Sequence, residues 1–218
     1  MVQSNADSWQ LTSGVASATA HAVLFLRDAF QLKPEDESHI PPHLLGDVPD
    51  LSAIAPDHDA REVATSWTAW WEHALAFEVA GLCGDDGSDR ARDEERAQFF
   101  DPPEFASLSE SPSLRSIARS AHREALRWSK FHSAPSPDAL RYALRDSVAS
   151  PVVWETCVAR HVSPGRLRAT VLALNVEGLW ATYPRAGVVV CSLGVLRKES
   201  HLQECLREAF HQTLARDA

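Results

Sequence analysis

Glycine is scarce in this chain, nine in 218 residues. Loops that wrap phosphates use glycine to bring the backbone close to the ligand. None of the glycine-dependent motifs is present: no G-x-x-x-x-G-K-[ST], no G-x-G-x-x-G after a strand, no G-x-S-x-G elbow around a nucleophile. Nucleotide chemistry and serine-hydrolase chemistry therefore lack their usual frame, and no cofactor is expected.

Lysine is scarcer still, three against eighteen arginines. That ratio, with abundant alanine, reads as the coding bias of a GC-rich bacterial genome. The four cysteines, Cys83, Cys157, Cys191 and Cys205, form no C-x-x-C pair and fit no zinc ribbon. A chain of this length does not need disulfides to fold. Four reduced thiols in a cytoplasmic protein are expected, with Cys157, Cys191 and Cys205 at apolar and therefore unreactive positions. Residues 1–12 carry no basic leader, and the apolar run at 22–26 stops at Arg27 and Asp28, too short to span a membrane. The net charge of -9 disfavours nucleic acid and anionic membranes as partners, since both require a positive field.

The strongest pattern lies at 57–82. Val63, Trp67, Trp70, Ala74 and Phe77 recur at the spacing of one helical face, and Trp71, Leu75 and Val79 widen it. Glu62, Thr65, Thr68, Glu72 and His73 fall opposite. Asp57 or Asp59 can cap the start and the Gly81–Gly84 stretch the end. Three tryptophans in five residues are expected to fill a core, although they could also wall a ligand pocket and make the protein a small-molecule sensor.

Around that helix the chain reads as follows. Residues 1–12 form a loose tail, and a helix covers 13–32. A proline-rich irregular segment follows at 33–58, pinned by Ile40, Leu44, Leu45, Val48, Leu51 and Ile54. An acidic segment, 84–98, mimics a calcium loop briefly but fails the EF-hand pattern, with Arg96 in place of the bidentate glutamate. Phe99 and Phe100 anchor a turn. A second strong helix covers 112–131, with Ser111 as its cap and Leu114, Ile117, Ala118, Ala121, Ala125 and Trp128 on its apolar side. A shorter helix is expected at 137–148.

From Pro151 the period changes to two, and strands are expected at 152–159, 167–182 and 188–196. A last helix, 200–215, carries a Ser200/Gln203 capping box. The expected fold is α+β and a single domain, 1–218. Residues 13–148 would be mainly helical, packed with a three-stranded antiparallel meander and a closing C-terminal helix over 151–216. Two of the strands are apolar on both faces, so both faces must be covered, by helices or by a second subunit. A homodimer is the expectation.

Candidate chemistry is thin. His39, His43, Asp57 and His58 offer nitrogen and oxygen ligands, and as a metal site they would suit a hydrolase that activates water. A capped, solvated turn at 57–59 explains the same residues without metal, and no metal is expected. Glu208 and His211 have the Glu-x-x-His spacing of di-iron bundles but lack a second copy. His21 sits between apolar neighbours, as a buried histidine with a backbone partner would. The feature above background is a ridge, Arg115, Arg119, Arg123 and Arg127, at four-residue spacing. Like charges four apart repel on a helix. Either the acidic residues of 85–95 fold over the ridge, or it meets an acidic partner or an anionic, phosphorylated ligand. The sequence points to a protein that acts through binding, to a protein partner or to itself, with no catalytic machinery in view.

Overall fold

The computed structural model describes residues 8–34, 39–54, 59–84, 88–132, 140 and 144–216. The fold is α+β. The chain divides into two compact units, Ala16–Ala134 and Met1–Val15 with Pro135–Ala218.

The first unit is helical: α1 (Ala18–Ala29), α2 (Ala60–Cys83), α3 (Asp89–Ala97) and α4 (Pro112–His132). In α1 every residue except Ala18 and Asp28 is buried, so it is apolar nearly all round and packs against both α2 and α4. It starts later than the sequence pattern suggests because Ser17 caps it, accepting from the amides of Thr19 and Ala20. In α2 the cap is Asp59, whose carboxylate accepts from Arg61 and Glu62, and Gly84 ends the helix at φ 72°. Only a residue tolerant of the left-handed region closes a helix in that way. The expected apolar face of α2 is buried: Val63, Trp67, Trp70, Trp71, Ala74, Phe77 and Val79. So is that of α4, from Leu114 to Trp128.

In the irregular segment, Ile40, Pro41 and Leu44 are buried, whereas Leu45 and Ile54 are exposed. The acidic segment forms a nine-residue helix, α3. Ser88 caps it through the Ala91 amide.

The second unit holds a four-stranded sheet in the order β1-β2-β4-β3. Its strands are β1 (Gln10–Val15), β2 (Arg168–Leu174), β3 (Ala181–Arg185) and β4 (Val188–Ser192). Its helices are α5 (Asp146–Arg160), α6 (Leu193–Arg197) and α7 (Glu199–Arg216). This corrects the expected meander. β1 and β4 both run parallel to β2, and only the β3–β4 pair is antiparallel. Parallel strands buried on both faces read as unbroken apolar runs. Val171, Leu172, Ala173 and Leu174 in β2 and Val188 to Cys191 in β4 are such runs, all buried. The covered sheet expected from their two-sided pattern is present.

Four further expectations are corrected. The segment 10–15, expected in a loose tail, is the first strand of the sheet. The segment 152–159, expected as a strand, belongs to α5: its buried set Val148, Ala149, Val152, Val153 and Thr156 has helical spacing. Valines on both sides of that helix produced the apparent period of two, and packing against α7 decided the outcome. The strand expected over 188–196 stops at Ser192, whose hydroxyl caps α6 through the Val195 amide while also donating to the Gly178 carbonyl. The 200–203 capping box does not form. α7 begins at Glu199, and the Gln203 amide donates to the Val148 carbonyl instead. Half of the helix expected at 137–148, residues 137–139 and 141–143, lies outside the described residues. Among the described residues no helix is long and apolar enough to cross a membrane.

Candidate functional site

The arginine ridge stands where its spacing implies, on the side of α4 away from the buried stripe. Steps of four residues overshoot a 3.6-residue turn, so the guanidinium groups wind slowly around the helix. Arg115 donates from Nε to the Glu104 carbonyl at 2.8 Å. Arg119 Nη2 lies 3.2 Å from the Glu104 carboxylate. Arg127 pairs with Glu124 at 2.9 Å. Arg123 is exposed and has no acidic partner among the described residues. Arg115 and Arg119, together with Ser109, Pro112, Ser116 and Ser120, line an open groove of about 510 Å³ along the first half of α4.

Two of the acidic residues expected to answer this ridge, Asp93 and Glu94, do otherwise. Glu94 pairs with Arg90 and Asp93 with Arg96, all within α3. Residues 85–87 lie outside the described residues. The ridge is thus answered locally and in part, by Glu104 and Glu124. Exposed pairs of this kind hold about 0–1 kcal/mol each.

The three tryptophans of α2 are core residues. Trp67 donates its indole N–H to the Val23 carbonyl of α1 at 2.8 Å, and Trp70 to the Phe99 carbonyl at 2.6 Å. Trp71 stacks on Trp67 with centroids 6.4 Å apart, and its buried N–H has no acceptor among the described residues. Trp70, Phe100 and Phe105 form one aromatic cluster that fixes the turn after α3.

Of the metal candidates, His39 is exposed, and His43 donates from Nδ1 to Asp28 Oδ1 at 2.8 Å. Asp57 and His58 lie outside the described residues. Among the described residues no three His, Cys, Asp or Glu side chains gather as a metal site would require. Asp28 is engaged otherwise: it also takes the Leu44 amide at 2.7 Å and Arg27 Nε at 2.7 Å. The buried Arg27 donates to the carbonyls of Pro41 and Pro42 and lies 5.6 Å from the Trp67 ring centroid. These two adjacent residues tie the irregular segment to α1.

None of the four cysteines is in a disulfide among the described residues. Burial pushes the thiols of Cys157, Cys191 and Cys205 up, away from the reactive thiolate. Glu208 accepts from Gln212 on the same helix. His21 is buried with Nδ1 2.9 Å from the Ser17 carbonyl, as its surroundings in sequence suggested, and burial lowers its pKa.

One group was missed. Glu78 of α2 is buried, and its two oxygens accept from the amide and the hydroxyl of Ser17 at the start of α1. Burial raises its pKa; the Ser17 hydrogen bonds and the nearby Arg92 act in the other direction. A carboxylate at a helix N-terminus also faces the positive end of the dipole. The signal in the sequence was its position: Glu78 interrupts the stripe between Phe77 and Val79. No protein-family model, curated protein or solved structure matches this chain significantly.

Proposed function

We propose that this protein acts through binding, and that the arginine groove of α4 receives an acidic surface of a protein partner. The groove carries the reading: Arg119 reaches the carboxylate of Glu104, and Arg115 the backbone carbonyl of the same residue. Glu104 occupies the place that an incoming carboxylate would take. Arg123, one turn further along, adds a guanidinium without an acidic partner among the described residues. In a chain of net charge -9 this is a local positive surface against the overall balance. Such a field discriminates between partners and raises the association rate more than it adds affinity. Arginine suits the role because its planar fork binds carboxylate two-pronged.

The test is fluorescence anisotropy with a labelled glutamate-rich peptide, on the parent and on a variant carrying Arg119→Gln and Arg123→Gln. The parent is expected to bind at low ionic strength and to weaken with salt. The variant is expected to bind about tenfold more weakly, the loss of two exposed pairs near the upper end of their range. Its unfolding free energy should stay within about 1 kcal/mol of the parent's, because the one pair it loses, Arg119 with Glu104, is exposed. Equal binding by the two proteins, or none by the parent, overturns the reading. Tighter binding of inorganic phosphate than of the peptide would move it to a phosphorylated ligand.

A further inference from the structure

The two edges of the sheet differ in a way that points to a partner. β3 is an edge interrupted by Pro184, which has no N–H to offer, and its pairing with β4 shifts register between Thr182 and Arg185. Proline, charge and irregular pairing are the devices that keep an edge from recruiting another strand. The opposite edge, β1, has none of them. Its six residues, Gln10 to Val15, include no proline and no charge, and its register with β2 is unbroken from Gln10↔Arg168 to Val15↔Ala173.

The direction of its backbone groups follows from one bond. The Gln10 amide donates to the Leu167 carbonyl. In a parallel ladder the N–H and C=O of one residue point to the same side, and successive residues alternate. Gln10, Thr12 and Gly14 therefore face β2. Leu11, Ser13 and Val15 face outward, and among the described residues nothing donates to or accepts from their backbone groups. Trp9, Leu11 and Val15 are partly buried against the core of this unit, so apolar side chains flank the open edge at alternate positions.

We infer that β1 pairs with β1 of a second copy, antiparallel about a two-fold axis through Ser13, joining two sheets into one. That register uses all three outward-facing residues. Ser13 opposes its own copy, and Leu11 opposes the second copy's Val15, an apolar cross-strand pair beside each core. A self-pairing strand must avoid opposing like charges, and β1, uncharged within a chain of net charge -9, meets that condition. The inference stands apart from the arginine groove, which lies on α4.

Light scattering over a range of concentrations tests it. The parent is expected to give twice the 24.0 kDa chain mass. Ser13→Pro removes the outward amide at the axis without touching the ladder to β2, and is expected to weaken the dimer about tenfold or more. Ser13→Lys keeps every amide and sets two ammonium groups across the axis. It should weaken the dimer in a salt-dependent way. Ser13→Cys should cross-link to itself on oxidation, since facing Cα atoms of such a pair lie about 5.5 Å apart. A particle of 24.0 kDa at every concentration overturns the inference. So does a dimer whose affinity neither the proline nor the lysine variant changes.

Discussion

Tryptophan has opposite fates on α2 and α5. Trp67, Trp70 and Trp71 are at most 3% exposed, whereas Trp154 is 72% exposed. Both helices carry a mixture of apolar and polar residues, so composition does not separate them. Spacing does. On α2 the tryptophans fall on the face that packs against neighbouring helices, two of them with their indole N–H groups on backbone carbonyls. On α5 the buried set is Val148, Ala149, Val152, Val153 and Thr156, and Trp154 falls on the other side with Pro151 and Val158. A large aromatic marks a core only when its helical phase agrees with that of its neighbours.

The largest expected effect is on α2. Trp70→Ala removes a buried ring that contacts Phe100 and Phe105, and should cost about 3–5 kcal/mol in urea unfolding. A loss below about 1 kcal/mol would place Trp70 outside the core and dissolve the contrast with α5.

A smaller effect is expected at Glu78. Replacing it with alanine leaves the amide and hydroxyl of Ser17 without their acceptor, a cost of about 1–3 kcal/mol. Its titration adds a signature of its own. Burial raises the Glu78 pKa above the ordinary carboxyl value. The fold therefore favours the protonated form, and that stabilisation is complete below the unfolded pKa and is lost as pH rises through the folded one. Unfolding free energies measured across that window should fall for the parent relative to Glu78→Gln. Parallel pH profiles would show that the buried carboxyl does not titrate differently in the two states.

The smallest effect is expected on α5. Trp154→Ala should change stability by less than about 0.5 kcal/mol, as exposed substitutions do. Its fluorescence should be quenched by iodide, while emission from the α2 tryptophans should not. Protection of Trp154 from iodide would show that something covers this face of α5 in solution.

Local pattern made much of the helical unit legible. The apolar stripes of α2 and α4, the Asp59 and Gly84 caps and the burial of His21 all depend on residues within a few turns of one another. The ridge on α4 was legible for the same reason: spacing places four arginines, whatever surrounds them. What answers the ridge was not. Glu104 precedes the helix and reaches Arg119 only because the chain turns at 101–108, with Asp101 capping that turn through the Ala106 and Ser107 amides. The acidic residues nearer in composition, Asp93 and Glu94, turned to arginines of their own helix.

By itself the sequence determined the class of the fold and the faces of its long helices. Each rests on periodicity, or on residue types that bring their own geometry. Tertiary structure alone decided the order and direction of the strands, the helical state of 152–159, the recruitment of 10–15 into the sheet and the meeting of Glu78 with Ser17. Those depend on partners far apart along the chain: Leu11 beside Ala169, Val171 beside Val189, Ser17 beside Glu78. A strand buried on both faces carries no alternation to show which neighbour it takes, and a valine-rich segment suits helix and strand nearly equally until packing chooses.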